Sequence, residues 1–305
     1  MITALAGGVG AAKFLTGLST LVKQEDLSVI VNTGDDIELF GLHISPDIDI
    51  VAYTLAGIVD EQKGWGIKDD TFQCLEMLKK YGLETWFMLG DKDLATHIHR
   101  SDLLRQGFTL SQVTDQFCQS LRLKIKILPM TNHKFQTKIK TSKGWIHFED
   151  YFVKNQGKDE VLGIEFDGAA TAKPSAGVLD AILKAEMVVV CPSNPIVSIG
   201  TILAVDGVRN ALRHTNAKVV AVSPIVAGAP VKGPADKLLR GLGLEVSAFG
   251  VAELYCDFVD TFVIDALDAE EKERIERLGM KVKVTDTVMK SFEDKVRLAK
   301  TVLEA

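Results

Sequence analysis

The first fourteen residues, Met1–Phe14, read MITALAGGVGAAKF, and the interpretation of the chain starts from them. Ile2 to Ala6 is a short apolar run, which predicts a buried strand. Glycines follow at once, and apolar residues at helical spacing then predict a helix from Ala11 to Val22. A strand that leads through glycines into a helix brings backbone N–H groups and the positive end of the helix dipole to one point, which favours an anion.

We therefore expect Gly7, Gly8, Val9 and Gly10 to bind a phosphate, with Lys13 adding a positive charge one turn into the helix. Glycine would let a pyrophosphate approach the backbone closely. The loop departs from the dinucleotide-binding fingerprint, because Lys13 stands where that motif has a third glycine, and it lacks the Gly-Lys-Ser/Thr of a P-loop. A tight turn without a ligand is the alternative interpretation.

The bulk composition is ordinary for a globular protein. The chain has 305 residues, of which 47% are apolar and 25% charged, and its formal net charge is −6. No apolar run is long enough to span a membrane, and acidity argues against a nucleic acid partner. We expect a cytoplasmic protein with no membrane and no nucleic acid partner. An acidic protein that binds a polyphosphate must concentrate its positive charge locally or recruit a metal.

The four cysteines are far apart in the sequence and show no CxxC spacing: Cys74, Cys118, Cys191 and Cys256. This pattern predicts buried free thiols in a reducing cytosol rather than disulfides or a zinc site. His97 and His99 form an HxH pair, but no second ligand motif accompanies them, so a transition-metal site is the less favoured interpretation.

Carboxylates follow the second predicted strand, Leu27–Val31, and continue into the next helix. Asp35 and Asp36 come directly after the strand, and Asp47 and Asp49 fall near the start of a helix predicted to run through position 56. The ends of parallel strands share one edge of a sheet, so these side chains should lie beside the glycine turn. Hard oxygen ligands at this spacing suit Mg²⁺ held together with substrate phosphates. A polar turn and a helix cap are the alternatives.

The remaining pattern defines the fold class. Residues from about 64 to 123 predict helices at 70–81, 94–106 and 111–121, with an aromatic, strand-like run from Thr85 to Leu89. From Lys124 the pattern alternates, and Lys143-Gly144 predicts a hairpin turn. After Pro174, apolar strands alternate with helices. The sequence predicts an α/β, doubly wound (Rossmann-like), mostly parallel sheet with a helical insert and a small β-rich insert. We assign residues 1–63 and 168–305 to the core and residues 64–167 to the inserts.

Six short motifs occur along the chain, each weak by itself: GGVGAAKF (7–14), VNTGDD (31–36), SPDIDIVAYTLAG (45–57), LGDKDLATHIHR (89–100), CPSNPIVSIG (191–200) and GAPVKGPADKL (228–238). As an ordered set they resemble the CofD family, the 2-phospho-L-lactate transferases of coenzyme F-420 biosynthesis. The resemblance covers nearly the whole chain. It implies transfer of a 2-phospholactyl group from lactyl-2-diphospho-5'-guanosine to a hydroxyl of the deazaflavin Fo, with Mg²⁺ and release of GMP. Related enzymes use a phosphoenolpyruvyl donor, and the sequence leaves the two donors open.

With this reaction in view, we expect roles for residues in three groups. The catalytic aspartates are Asp35, Asp36 and Asp49, of which Asp35 and Asp49 hold Mg²⁺ and Asp36 or Asp49 orients or deprotonates the hydroxyl. The GDP moiety lies on Gly7, Gly8, Val9, Gly10 and Lys13 through its phosphates, and on Ser193, Asn194 and Lys232 through its guanosine. Fo lies near Asp49, Met88 and Asp91, under the insert. Family members often read FRLGDRD where this chain reads Phe87-Met88-Leu89-Gly90-Asp91-Lys92-Asp93, so an apolar Met88 replaces a cation.

Two other classes of function stay open. A related family of non-catalytic regulatory proteins that bind nucleotide sugars shares the glycine-rich start. An NAD-dependent oxidoreductase is suggested by the strand–glycine–helix opening alone. We also expect a homodimer if the helical insert exposes an apolar face.

Overall fold

The computed structural model describes residues 1–305. In chain order, its strands are β1 (Ile2–Ala6), β2 (Leu27–Val31), β3 (Ile37–Leu39), β4 (Leu42–Ile44), β5 (Lys126–Pro129), β6 (Gln136–Thr141), β7 (Gly144–His147), β8 (Gly163–Asp167), β9 (Met187–Val190), β10 (Lys218–Val222), β11 (Ile225–Val226), β12 (Ala229–Pro230), β13 (Thr261–Asp265) and β14 (Lys281–Thr285). Its α-helices are α1 (Gly8–Leu21), α2 (Pro46–Leu55), α3 (Gln73–Lys80), α4 (Asp91–Arg105), α5 (Leu110–Ser120), α6 (Val178–Leu183), α7 (Ile199–Ala204), α8 (Val208–His214), α9 (Ala235–Gly241), α10 (Ala248–Tyr255), α11 (Lys272–Glu276) and α12 (Phe292–Leu303). Short 3₁₀ segments lie at Gln24–Asp26 and Ala266–Glu271, and a π-helical segment at Asp150–Lys154.

The central sheet has seven strands in the order β14-β13-β10-β9-β1-β2-β5. Every pairing in it is parallel, and Ile2 of β1 lies opposite Leu27 of β2 on one side and Met187 of β9 on the other. The strand order runs outward from β1 in both directions, so it reverses between β1 and β9. Ligands of such sheets bind at the carboxyl ends of the strands beside this reversal. The doubly wound α/β fold is confirmed.

Both faces of the sheet are buried. Leu5, Ile30 and Val190 face one apolar layer, which contains residues of α6 to α10. Ala4, Val29 and other strand residues of the opposite parity face a second layer with α1, α2 and α12. This double burial explains why the inner strands are almost continuously apolar, whereas the edge strand β14 (KVKVT) alternates and is largely exposed.

Both inserts are present, with two differences from the sequence-based expectations. β6, β7 and β8 form a small antiparallel sheet, and its β6–β7 hairpin turns at the predicted Lys143-Gly144. The run Thr85–Leu89 forms no strand, because Trp86, Phe87 and Leu89 instead pack into a small apolar cluster with residues of β3, β4 and α4. β5 lies within residues 64–167 but is the edge strand of the central sheet, so the sheet extends beyond the two core ranges. The division into domains otherwise stays a prediction.

Side-chain capping sets where the last helix begins. α12 begins at Phe292, because Ser291 and Asp294 form a reciprocal capping box. Each helix falls short of the length and apolar composition needed to cross a membrane.

All four cysteines are free thiols, as expected. Cys118 and Cys191 are buried, but Cys74 and Cys256 are exposed, so the expectation of burial was wrong for two of them.

Gly17 sets how closely α1 can approach α12. A Cβ at Gly17 would overlap the main-chain carbonyl group of Lys295 on α12. Alanine favours a helix over glycine by about 1 kcal/mol, whereas overpacking a close contact costs about 1–3 kcal/mol. We expect Gly17→Ala to lower the free energy of unfolding by about 1 kcal/mol or more, measured by urea denaturation. The control is Gly163→Ala, whose new Cβ would have its nearest neighbour 3.6 Å away. Equal or greater stability of Gly17→Ala would contradict this packing.

Candidate active site

A cleft of about 450 Å³ lies at the carboxyl ends of the central strands, where the strand order reverses. It is lined by most of the residues that the sequence singled out: Gly7, Gly8, Val9, Gly10, Lys13, Asp35, Asp49, Met88, Ser193, Asn194 and Lys232. Asp36 and Asp91 do not line it. The topology therefore brings loops after β1, β2, β9 and β12 together with both inserts.

The glycine turn is packed against the protein itself. A Cβ on Gly10 would overlap the carbonyl oxygen of Pro192, and one on Gly7 would lie 2.6 Å from the Cβ of Ser198. Gly8 has a φ of +69°, a left-handed conformation that other residues rarely adopt. The expectation that glycine leaves room for a pyrophosphate thus omitted a structural requirement: the turn after β1 must pass closely beneath the loop after β9.

Asn32, fully buried at the end of β2, joins these loops. Its amide Nδ2 donates to Asp35 Oδ2 and Asp47 Oδ2, both at 2.9 Å, and its Oδ1 accepts from Thr201 Oγ1 at 2.7 Å. The backbone of Gly8 also faces the carboxyl group of Asp47 and partly offsets the effect of burial on its pKa. The N–H groups of Gly8, Val9 and Gly10 belong to the first turn of α1, where an α-helix leaves its N–H groups without intrahelical partners.

Two lysines meet at this end of the cleft. Lys13 comes from α1 and Lys232 from the loop after β12, and neither forms an ion pair with a carboxylate. Partial burial and the nearby charge of Lys13 lower the pKa of Lys232. Two ammonium groups that approach each other without a counter-ion form a site for an anion.

Three buried carboxyl groups form the opposite kind of cluster. Burial, together with the charges of Asp47 and Glu149, holds the pKa of Asp35 well above its usual range. Burial raises the pKa of Asp47 to about 7 and, with help from Asp47, that of Glu149 to about 8. Asp35 Oδ1 is buried without a hydrogen-bond partner. Glu149 had no sequence signal, because it stands inside the alternating pattern of the β-rich insert.

Asp49 belongs to a separate buried network. Both of its oxygens accept hydrogen bonds from the guanidinium of Arg100, and His97 Nδ1 lies 3.7 Å away. On the other side of His97, Nε2 lies 3.3 Å from Asp93 Oδ1, which also accepts from Tyr53 Oη at 2.7 Å. Burial raises the pKa of Asp49, although Arg100 opposes the shift. Asp49, Asp93 and His97 lie close enough to hold a metal ion, but Arg100 already neutralises Asp49.

The two predicted residues outside the cleft hold local structure. The carboxylate of Asp36 accepts hydrogen bonds from His43 Nε2 and Ser45 Oγ, both at 2.8 Å. Asp91 accepts from the backbone N–H groups of Gln73 and Cys74 at the start of α3, at 3.1 and 2.9 Å. These contacts explain why both positions need an aspartate. A role for Asp91 in binding Fo stays a prediction.

The cleft also has a large apolar component, part of which the sequence did not identify. Met88 was predicted, whereas other apolar lining residues were not, among them Ile44, Ile50, Trp65, Phe87, Phe148, Phe152 and Val153. A cleft that combines lysines, carboxylates and apolar walls suits a ligand pair of which one member is a polyphosphate and the other a flat apolar ring system.

Glu149 makes the stability of the protein depend on pH. Because its folded-state pKa of about 8 exceeds the ordinary value of 4.5, the folded protein retains a proton that the unfolded chain releases. This contribution to the free energy of unfolding is fully present below about pH 4.5 and is lost as the pH rises toward about 8. Glu149→Gln removes this pH-dependent loss of stability, because an amide side chain does not titrate.

We therefore expect the stability of Glu149→Gln relative to wild type to increase between about pH 5 and about pH 8.5, measured by urea unfolding with EDTA present. Glu165→Gln, at an exposed position on β8, is the control. If the curves of Glu149→Gln and wild type ran parallel across this range, Glu149 would titrate normally.

Comparison with known proteins agrees with this geometry. The family described as 2-phospho-L-lactate transferase CofD matches residues 2–302. A phosphoenolpyruvate transferase of Streptomyces griseus is 44% identical, with 99% of this chain and 97% of that protein covered. 2-Phospho-L-lactate transferases of Methanosarcina mazei and Methanocaldococcus jannaschii are each 42% identical, with 98% and 100% of this chain and 98% and 97% of those proteins covered.

A solved structure shares the fold at low sequence identity. The crystal structure of protein BH3568 from Bacillus halodurans, a member of the UPF0052 family, has a TM-score of 0.68 at 16% identity, with 99% of this chain and 98% of that chain covered. The sequence matches extend over nearly all of the present chain at more than 40% identity. The chain is therefore a transferase and belongs to the 2-phospho-L-lactate transferase CofD family.

Proposed function

We propose that the protein transfers a 2-phospholactyl group from lactyl-2-diphospho-5'-guanosine to the hydroxyl of Fo (7,8-didemethyl-8-hydroxy-5-deazariboflavin), releasing GMP, in coenzyme F-420 biosynthesis. The observation that carries the proposal is the pair Lys13 and Lys232, two cleft ammonium groups with no carboxylate partner, beside the glycine turn. A diphosphate supplies the charge that this pair lacks. GDP binding follows from the same contacts.

The guanosine end of the donor lies at the loop after β9. Ser193 Oγ already accepts a hydrogen bond from the N–H of Gly7 at 3.3 Å, and Asn194 Oδ1 accepts from the N–H groups of Ile196 and Val197. These bonds leave the Ser193 hydroxyl proton and the Asn194 amide NH₂ as donors toward a nucleoside. The loop is thus held rigid by the same side chains that would contact the ligand.

Asp35 is the residue that fits Mg²⁺ best. Its Oδ1 is buried and lacks a hydrogen-bond donor, and burial together with the neighbouring carboxyl groups of Asp47 and Glu149 raises its pKa, as expected where a cation is needed. Asp49 is the second predicted ligand, but both of its oxygens accept hydrogen bonds from Arg100. Asp49 is therefore a weaker candidate Mg²⁺ ligand than Asp35. When bound, Mg²⁺ would neutralise charge on the transferring phosphate and on the GMP leaving group.

The proposed reaction is a displacement at phosphorus. The acceptor oxygen forms a bond to the phospholactyl phosphorus and releases its proton to solvent, and the bond from that phosphorus to the bridging oxygen breaks, so that GMP leaves with the electron pair. Asp49 lines the cleft, whereas Asp36 is bonded to His43 and Ser45 outside it. We assign to Asp49, held by Arg100, the role of orienting the hydroxyl.

The relatives differ in the donor that their names imply, since one group is named for phosphoenolpyruvate and the other for 2-phospho-L-lactate. An assay of this protein should therefore offer both guanosine-activated donors. We also propose a homodimer, because the helical insert exposes Met77, Tyr81 and Leu83.

The lysine pair gives the first test of the proposed donor site. We expect Lys13→Ala and Lys232→Ala each to weaken GDP binding by about 10-fold or more, because a charge-assisted hydrogen bond contributes about 1.5–3 kcal/mol. Isothermal titration calorimetry measures the change, and Lys79→Ala, at an exposed position on α3, is the control. Unchanged affinity in both cleft variants would place the diphosphate elsewhere.

Asp49 gives the test of the transfer itself. We expect Asp49→Asn to reduce turnover by about 100-fold or more while GDP binding is retained, because its proposed contact is with the acceptor and not with the nucleotide. Product formation from Fo and each donor is followed by mass spectrometry. Asp102→Asn, at an exposed position on α4, is the control. Wild-type turnover in Asp49→Asn would remove Asp49 from the mechanism. If the wild-type protein transferred neither donor group to Fo, the proposed function would be refuted.

A further inference from the structure

One wall of the cleft contacts neither the donor nor the reacting atoms in the reaction proposed above. It is the segment 148–153, where β7 passes into the π-helical residues Asp150–Lys154. Phe148 and Phe152, four residues apart, both line the cleft, as do Glu149 and Val153 at the same spacing. π-Helical turns of this kind are frequent at functional sites.

Neighbouring side chains hold the ring of Phe152 in place, although the ring remains partly exposed to solvent. Phe148 is buried and stacks on Phe152 with 5.7 Å between ring centroids and an angle of 10° between ring planes. Between them, Tyr151 is fully buried, and its hydroxyl lies within hydrogen-bonding distance of the carbonyl oxygens of Gly157 and Asp159. Phe152 itself is 37% exposed. A fixed, partly exposed aromatic ring in a cleft is a surface on which a ligand can pack.

Lys154 joins this wall to the run that contains Met88. Its Nζ lies 2.5 Å from Glu84 Oε2 and 5.7 Å from the ring centroid of Trp86. Trp86 in turn packs edge-on against Phe87, which lines the cleft next to Met88. The β-rich insert and the run before α4 are thereby tied together at the cleft.

Glu149 supplies a polar group on the same wall. Its carboxyl group makes no hydrogen bond within the protein, and it interacts with the charges of four carboxyl groups, those of Asp47, Asp150, Asp36 and Asp35. A buried polar group without a partner is costly, and a ligand that carries an N–H or O–H group would satisfy it.

We propose that Phe152 and Met88 hold the flat ring of the acceptor between the β-rich insert and the run before α4, with Glu149 as hydrogen-bond partner of a ring N–H or O–H. This inference rests on the proposed function, because it takes the acceptor to be a deazaflavin. It adds a second wall to the acceptor site that the sequence had placed only near Asp49, Met88 and Asp91.

Binding of Fo itself, followed by its fluorescence in the presence of GDP and Mg²⁺, tests the inference. We expect Phe152→Ala and Phe152→Leu to raise the Kd for Fo by about 10-fold, because stacking on an aromatic ring is lost. Phe152→Trp should stay within about threefold of wild type, since it keeps an aromatic surface. The control is Phe292→Ala, which removes a half-exposed phenylalanine of α12 outside the cleft. GDP affinity should be unchanged in all four variants, which also shows that they are folded.

Glu149 has a matched pair of variants. Glu149→Gln should bind Fo within about threefold of wild type, because an amide still forms the hydrogen bond, whereas Glu149→Met should raise the Kd by about 10-fold.

An unchanged Kd in Phe152→Ala or Phe152→Leu would overturn the inference and leave the proposed function intact. Failure of the wild-type protein to bind Fo would overturn the proposed function, and this inference with it.

Discussion

The buried side chain of Asn32 is the contact on which the site depends. It is fully buried at the end of β2, and its amide group bonds Asp35, Asp47, the carbonyl oxygen of Val197 and the hydroxyl of Thr201. These partners come from the loop after β2, the first turn of α2, the loop after β9 and helix α7, which meet at the reversal of strand order. No apolar residue could replace Asn32 without leaving several buried polar atoms unpaired, each at a cost of about 1–3 kcal/mol. One side chain thus fixes the positions of two carboxylates and of the loop after β9.

The electrostatics of the cleft follow from this arrangement. Carboxyl groups that are buried beside one another have raised pKa values, as for Asp35, Asp47 and Glu149, and two lysines approach each other without a counter-ion. Like charges held together in this way store unfavourable energy that a ligand or a cation of opposite charge relieves. The charge distribution accordingly favours a polyphosphate and a divalent cation bound side by side. Although the chain has a net charge of −6, it can bind both ligands because the lysine pair and the carboxyl cluster are separate groups within one cleft.

The sequence predicted the fold better than the site. The inner strands of the central sheet were recognisable because burial on both faces makes them almost continuously apolar, and the glycine turn after β1 marked the cleft. The edge strand β5 was assigned to the inserts, because its membership in the central sheet depends on pairing with β2. The run Thr85–Leu89 misled the prediction, because its apolar residues pack into a local cluster instead of a sheet. The partners of side chains also could not be predicted. Arg100 reaches Asp49 across 51 positions of the chain, and Asp36 and Asp91 are bonded outside the cleft, contacts that depend on tertiary structure alone. Glu149 and Phe152 were missed for the same reason.

The central claim is that one cleft binds a guanine nucleotide and a deazaflavin side by side. Calorimetric titration with GDP and Fo, separately and together, with Mg²⁺ and with EDTA, tests it most directly. The account predicts that each ligand binds alone and that each still binds when the other is saturating, with GDP bound more tightly in Mg²⁺. Competition between GDP and Fo for a single site, or binding of GDP with no binding of Fo, would contradict it.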